Sequence, residues 1–166
     1  MKQFAVTALL ILSVTKYVEP VFKEISLSSK NQERKVFWTL ENEKKSIHVP
    51  AKVPGGVYSD LQDAGKIEDI LKGYNDLGTR WVANATWIYR VSFNIQEEDL
   101  QANVVQLVLH GIDTLSFIEL NGALIDSTSN MFVRYVFDIK QHLRPGDNEL
   151  KISFVPPIEA ANARLS

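Results

Sequence analysis

Much of the chain alternates between apolar and polar positions with a period of two. Trp87, Tyr89, Val91, Phe93 and Ile95 share one parity, while Arg90, Ser92 and Asn94 take the other and Ile88 is the exception. Successive side chains of a strand point to opposite faces, so this stretch predicts a strand with one buried face. Val104–His110 is almost continuously apolar, as expected of a strand covered on both sides. The apolar stretches 115–120 and 123–125 flank Asn121-Gly122. Both central positions of a tight hairpin turn need positive φ, which this pair tolerates best, so a hairpin is predicted. In 132–139 the alternation returns, with Val133, Tyr135, Phe137 and Ile139 opposite Arg134 and Asp138. Pro145-Gly146-Asp147 predicts a turn into a last strand marked by Leu150, Ile152 and Phe154, ended by Pro156-Pro157.

Helical spacing is scarce. Val57, Leu61 and Ala64 sit at i, i+4 and i+7 before Gly65, a natural stop. Ile67, Ile70 and Leu71 predict one further turn. Residues 23–35 are polar and charged, which fits a loose lead-in or one amphipathic edge strand. No heptad run, internal repeat or low-complexity tract is visible. Short strands, hairpin turns and one short helix predict an all-β fold, an antiparallel β-sandwich.

The beginning of the chain has a different character. Lys2 precedes an apolar run over 4–14 that is too short to span a bilayer, which takes about 20 residues. A positive start followed by a short apolar core is the layout of an export leader. We therefore expect a signal peptide over 1–16, a polar lead-in over 17–35 and the sandwich domain over 36–166; the alternative for the apolar run is a buried N-terminal helix or strand. Asn84-Ala85-Thr86 is an N-glycosylation triplet, which makes Asn84 a candidate glycan site on a secretory route.

Composition narrows the chemistry. The 166 residues are 45% hydrophobic and 23% charged, enough for one domain with a core of its own. The absence of cysteine excludes a disulfide scaffold, a thiolate zinc site and a cysteine nucleophile. With 18 Lys+Arg against 20 Asp+Glu, no basic surplus exists to neutralise phosphates, so nucleic acid is not an expected partner. His48, His110 and His142 lie too far apart to suggest a metal site, and no phosphate loop, nucleophile elbow or zinc-protease helix occurs. No metal and no cofactor are expected. Glu97-Glu98-Asp99 reads as a solvated loop, and no pair of catalytic carboxylates can be assembled.

One segment departs from this quiet background. Tyr74-Asn75-Asp76-Leu77-Gly78-Thr79-Arg80-Trp81 gathers aromatic, amide, acid and guanidinium groups between the helix and a strand, with Trp87-Ile88-Tyr89 close behind. Such groups bind sugars by stacking and by forked hydrogen bonds to hydroxyls. Asn75, Asp76, Arg80 and Trp81 are the candidate substrate-facing residues. The competing reading is structural: Asp76 pairs with Arg80, and Trp87 and Tyr89 fill the core.

An ordered set of these segments carries a family resemblance. Val53-Pro54-Gly55-Gly56-Val57-Tyr58-Ser59-Asp60-Leu61, Tyr74-Asn75-Asp76, Arg80-Trp81-Val82 and Trp87-Ile88-Tyr89 come first. Leu109-His110-Gly111-Ile112-Asp113-Thr114, Ile118-Glu119-Leu120-Asn121-Gly122, Asn130-Met131-Phe132-Val133-Arg134-Tyr135 and Phe137-Asp138-Ile139 follow. From about Trp38 to Phe154 the chain resembles the N-terminal domain of β-mannosidases of glycoside hydrolase family 2. The resemblance implies a galactose-binding-domain-like jelly roll, incomplete at its C-terminal end. It also implies retaining hydrolysis of terminal non-reducing β-mannose from oligosaccharides, carried out by two glutamates on a TIM barrel. A barrel of about 250 residues is absent from this chain, so no catalytic residue can be carried over and the chain alone is expected to be inactive. A mannose-containing oligosaccharide is then the partner of the complete enzyme, with no membrane span, and the leader would suit a lysosomal member. The alternatives are a stand-alone carbohydrate-binding sandwich and a non-catalytic interaction domain.

Overall fold

The computed structural model describes residues 7–14, 21–31 and 35–156. Among the described residues, ten strands form two antiparallel sheets packed face to face. In chain order they are β1 (Thr7–Val14), β2 (Val21–Ser26), β3 (Trp38–Asn42), β4 (His48–Ala51), β5 (Trp87–Ile95), β6 (Val104–His110), β7 (Ser116–Leu120), β8 (Ala123–Thr128), β9 (Arg134–Asp138) and β10 (Gly146–Phe154). One sheet runs β2-β1-β6-β9, and the other runs β4-β3-β5-β10-β7-β8. Two short helices, α1 (Val57–Asp63) and α2 (Asn75–Gly78), lie in the connection between β4 and β5. This is the antiparallel sandwich that the period-two pattern predicts.

The alternation of β5 decides which face is inside. Trp87, Tyr89, Val91, Phe93 and Ile95 are all buried. The register against β10 sets Leu150 opposite Val91 and Ile152 opposite Tyr89, so both strands send their apolar rows to one side. Trp38, Tyr89 and Phe154 meet edge-on across β3, β5 and β10, with ring centroids 6.5 and 5.8 Å apart. Polar residues occupy the outer side. Arg90 bridges Glu41 on β3 and Glu149 on β10, both at 2.9 Å, and Lys151 reaches Glu119 on β7.

Local signals behave as their chemistry demands. Asn121 (φ 52°) and Gly122 (φ 83°) form the hairpin turn between β7 and β8. Helix α1 buries Val57 and Leu61. It stops at Gly65 (φ 64°), whose N–H donates to the Gln62 carbonyl while Lys66 N–H donates to that of Leu61, satisfying the helix end.

Two expectations need amendment. No helical turn forms at Ile67, Ile70 and Leu71; the segment is irregular, with Ile67 half-buried against the core and Leu71 80% exposed. Val133 is exposed although its parity matches Tyr135, Phe137 and Ile139. It lies just outside β9, before the pairing with β6 begins at Arg134, whereas Tyr135 and Phe137 within the strand pack against the core. Within the apolar run Thr7–Val14 forms strand β1, and Val21–Ser26 forms the edge strand β2 beside it.

A polar lock joins two turns at one end of the sandwich. Asn148, 1% exposed, donates to the carbonyls of Arg144 and Gly146 and accepts from Arg144 N–H and Asn121 Nδ2. Asn121 also donates to the His142 carbonyl and accepts from Glu149 N–H. Replacing Asn148 by Ala removes four hydrogen bonds from partly buried partners, a loss of about 2 kcal/mol. Urea unfolding should show this as a lower midpoint with unchanged slope, and heating as a drop of roughly 2–4 °C per kcal/mol.

Candidate functional site

The loop that carries the candidate residues is built outward from the core. At its base Val82 is buried, and the Trp87 indole N–H donates to its carbonyl at 2.8 Å. Trp87, at the start of β5, thus fixes the 3₁₀ turn Arg80–Asn84. Thr79, also buried, folds its hydroxyl back onto the carbonyls of Asn75 and Asp76 at 3.1 and 3.2 Å, closing the end of α2. Asn75 Nδ2 donates to the Asp69 carbonyl at 2.9 Å, tying α2 to the preceding turn.

The candidates fall into two groups on this frame. Asn75 is half-buried and its amide braces the loop. Asp76 and Arg80 are exposed, and among the described residues no ion pair joins them. The four-residue spacing would bring them together on a continuous helix, but α2 ends at Gly78 and the chain turns between them. Trp81 rests on Trp87, centroids 6.0 Å apart, and keeps 41% of its surface in solvent. Leu71, Tyr74 and Leu77 of the same loop are more exposed still. Trp87 and Tyr89 lie in the core, as their strand parity requires. Asn84 ends the 3₁₀ turn with its side chain exposed.

Beneath α1 sits a polar pair not singled out from the sequence. The Tyr89 hydroxyl donates to Asp60 Oδ2 at 2.9 Å, and Lys52 N–H donates to Oδ1 at 3.1 Å. Asp60 lies three residues after Val57 and one before Leu61, on the apolar side of α1, and a carboxylate in that position was the available signal. Burial raises the Asp60 carboxyl above its ordinary range, against the Tyr89 and Lys52 hydrogen bonds that favour its charge. Burial likewise raises the Tyr89 hydroxyl far up, with the neighbouring Asp60 charge adding to it. The pair connects α1 to β5 and offers no open site.

Elsewhere the titratable groups are dispersed. Among the described residues, no three His, Cys, Asp or Glu side chains are grouped to hold a metal ion. His48, on edge strand β4, lies 3.7 Å from Glu41 in the outer charged row. A second exposed apolar set escaped the sequence reading: Phe117 and Leu124 on β7 and β8, and Phe132 in the connection to β9. Phe117 alternates with the buried Ser116 and Ile118, and the sheet order places it near the sheet's open edge.

Residues 38–166 match the sequence profile described as the glycosyl hydrolase 2 galactose-binding domain-like family. The chain belongs to that family. It is 38% identical over 127 residues to a β-mannosidase of Capra hircus, which covers 76% of this chain and 14% of the relative. A β-mannosidase of Rattus norvegicus is 35% identical over the same length and shares. Among solved structures, a β-D-mannosidase from Dictyoglomus thermophilum superposes with a TM-score of 0.73 at 36% identity, over 79% of this chain and 17% of that one. The β-D-glucuronidase of the same organism, at 18% identity and TM-score 0.54, shares the fold. The chain thus spans about one seventh of the length of the curated relatives it matches. Among the described residues, no helix is long and apolar enough to cross a membrane.

The buried carboxyl generates a prediction. Asp60 holds its proton in the folded state over a range, opening at its ordinary 3.8, where the unfolded chain has lost it. The folded state then binds more protons, so this group's contribution to stability falls as pH rises through that range. Burial pushes Glu41 up as well, but Arg90 outweighs it and holds the carboxyl low, which gives the opposite slope from acid. The difference between wild type and Asp60→Asn isolates the first effect. The variant should gain on wild type as pH rises above about 4, read from urea midpoints at successive pH values; a constant difference would refute the assignment.

Proposed function

We propose that this chain is the N-terminal sandwich of a β-mannosidase whose complete form hydrolyses terminal non-reducing β-D-mannose residues in oligosaccharides and glycoprotein glycans. The loop over 74–81 would then border the sugar pocket or the face that meets the catalytic barrel. One observation carries this reading. Leu71, Tyr74, Leu77 and Trp81 stand exposed beside Asp76 and Arg80 on a loop whose base is pinned to the core. Exposed apolar groups clustered with polar ones mark a contact surface, and the matched relatives that share the domain are β-mannosidases. Asp76 and Arg80 supply groups for hydroxyls and Trp81 a face for stacking, whereas Asn75 serves to hold the loop.

Chemistry is expected from the barrel and not from the sandwich, because retaining cleavage needs two carboxyls held about 5–5.5 Å apart. The purified 166-residue chain should therefore leave a chromogenic β-mannoside intact. In a longer β-mannosidase containing this domain, Asp76→Ala and Arg80→Ala should lower kcat/KM at least tenfold, with the melting temperature nearly unchanged. Lower melting temperatures with intact kinetics per folded molecule would show a structural loop and sink the pocket reading.

The cellular route belongs to the same proposal. An export leader over 1–16 and a glycan on Asn84 would take the protein through the secretory pathway to the lysosome. Asn84 is exposed at the end of its turn, which leaves its amide open to modification. Expression in a secretory host should yield a chain whose extra mass is removed by an N-glycosidase and is missing from Asn84→Gln.

A further inference from the structure

Thr7–Val14 has two fates that exclude each other. Uncharged and lying between Lys2 and Lys16, the segment fits the core of an export leader, yet it forms an interior strand of a sheet. β1 runs antiparallel to both neighbours, through six registered pairs with β2 and seven with β6. Among the described residues, β2 has no other strand neighbour.

Both walls around β1 are nevertheless held by contacts that β1 does not make. Lys23 on β2 reaches the buried Asp99 carboxylate at 2.5 Å. Ile25 and Leu27 are buried, and the Leu27 carbonyl accepts the Trp38 indole N–H at 2.7 Å. Ser29 N–H then donates to the Val53 carbonyl at 2.7 Å. On the other side β6 is paired to β9, and the Ile139 N–H donates to the Val105 carbonyl at 2.9 Å. Taking β1 away would leave two strand edges facing each other about 9.5 Å apart, twice the ordinary spacing. Each edge would carry a row of unmet N–H and C=O groups.

We propose that the slot between β2 and β6 is a strand-acceptor site for an uncharged, apolar, extended peptide antiparallel to both walls, and that in a chain whose leader is not removed Thr7–Val14 fills it as a replaceable strand. Main-chain ladders on two edges supply the attraction, and a buried side chain selects the register. Leu10, fully buried and opposite Leu107 and Ile25, sets that register. A slip of one residue would turn it to the other face.

The test keeps every residue of the chain. A protease site placed within 15–20 allows β1 to be cut from β2 while it remains seated, and an excess of labelled Thr7–Val14 peptide, with terminal lysines for solubility, is then added. The nicked protein should take up one peptide per chain, and a Leu10→Asp peptide should not enter. The cysteine-free sequence permits a lock. Ser13 and Val104 lie opposite each other in register, so Ser13→Cys with Val104→Cys, oxidised before nicking, should block uptake until reduced. No uptake by a folded nicked chain, equal uptake of the Leu10→Asp peptide, or uptake by the locked chain would overturn the proposal. Should the nicked chain unfold, hydrogen exchange on the uncut protein decides. Amides joining β1 to β2 and β6 should then exchange at least tenfold faster than those of the β5–β10 ladder; equal rates would overturn it.

Discussion

The nine-residue ladder between β5 and β10 is the constraint on which the rest of the sandwich depends. Its register puts Tyr89, Val91, Leu150 and Ile152 on one side and Arg90, Glu149 and Lys151 on the other. A shift of one residue would bury the charged row and expose the apolar one, which no adjustment elsewhere could offset. The neighbouring strands inherit this choice. β3 pairs with β5 so that Leu40 meets Tyr89, and β7 pairs with β10 so that Ile118 meets Ile152. The second sheet then closes over an apolar face whose shape is already set.

The same strand positions the loop proposed to meet sugar. Trp87 opens β5, packs in the core, and sends its indole N–H to Val82. Its ring supports Trp81, so the exposed face of the loop is held by a residue that never reaches solvent. Two residues further on, Tyr89 holds α1 through Asp60. A few side chains on one strand thus serve both the core and the placement of the surface. This is how a rigid sheet can carry a specific loop.

Much of this order was legible in the chain. The strands at Trp87–Ile95, Val104–His110 and Gly146–Phe154 follow from side-chain parity, because a sheet with one wet face admits little else. The Asn121-Gly122 hairpin and the Gly65 stop follow from backbone sterics, which act over a few residues whatever surrounds them. The resemblance to β-mannosidases was legible as well, in the order and spacing of short motifs between Trp38 and Phe154. The role of Asn75 was not legible. An amide in a loop carries no mark of whether it will bind a carbonyl of its own chain or a ligand.

Local rules, then, determined which residues form strands, which faces are apolar and where the chain reverses, because each depends on a few neighbouring residues. Tertiary structure decided what depends on distant partners. It left Val133 exposed just outside β9, separated Asp76 from Arg80 by ending α2 between them, and buried Asp60 against Tyr89, 29 residues away. It also gave Thr7–Val14 a place between β2 and β6. Hydrophobicity alone suits that segment equally to a leader and to a strand, and the two edges that receive it are contributed from elsewhere in the chain.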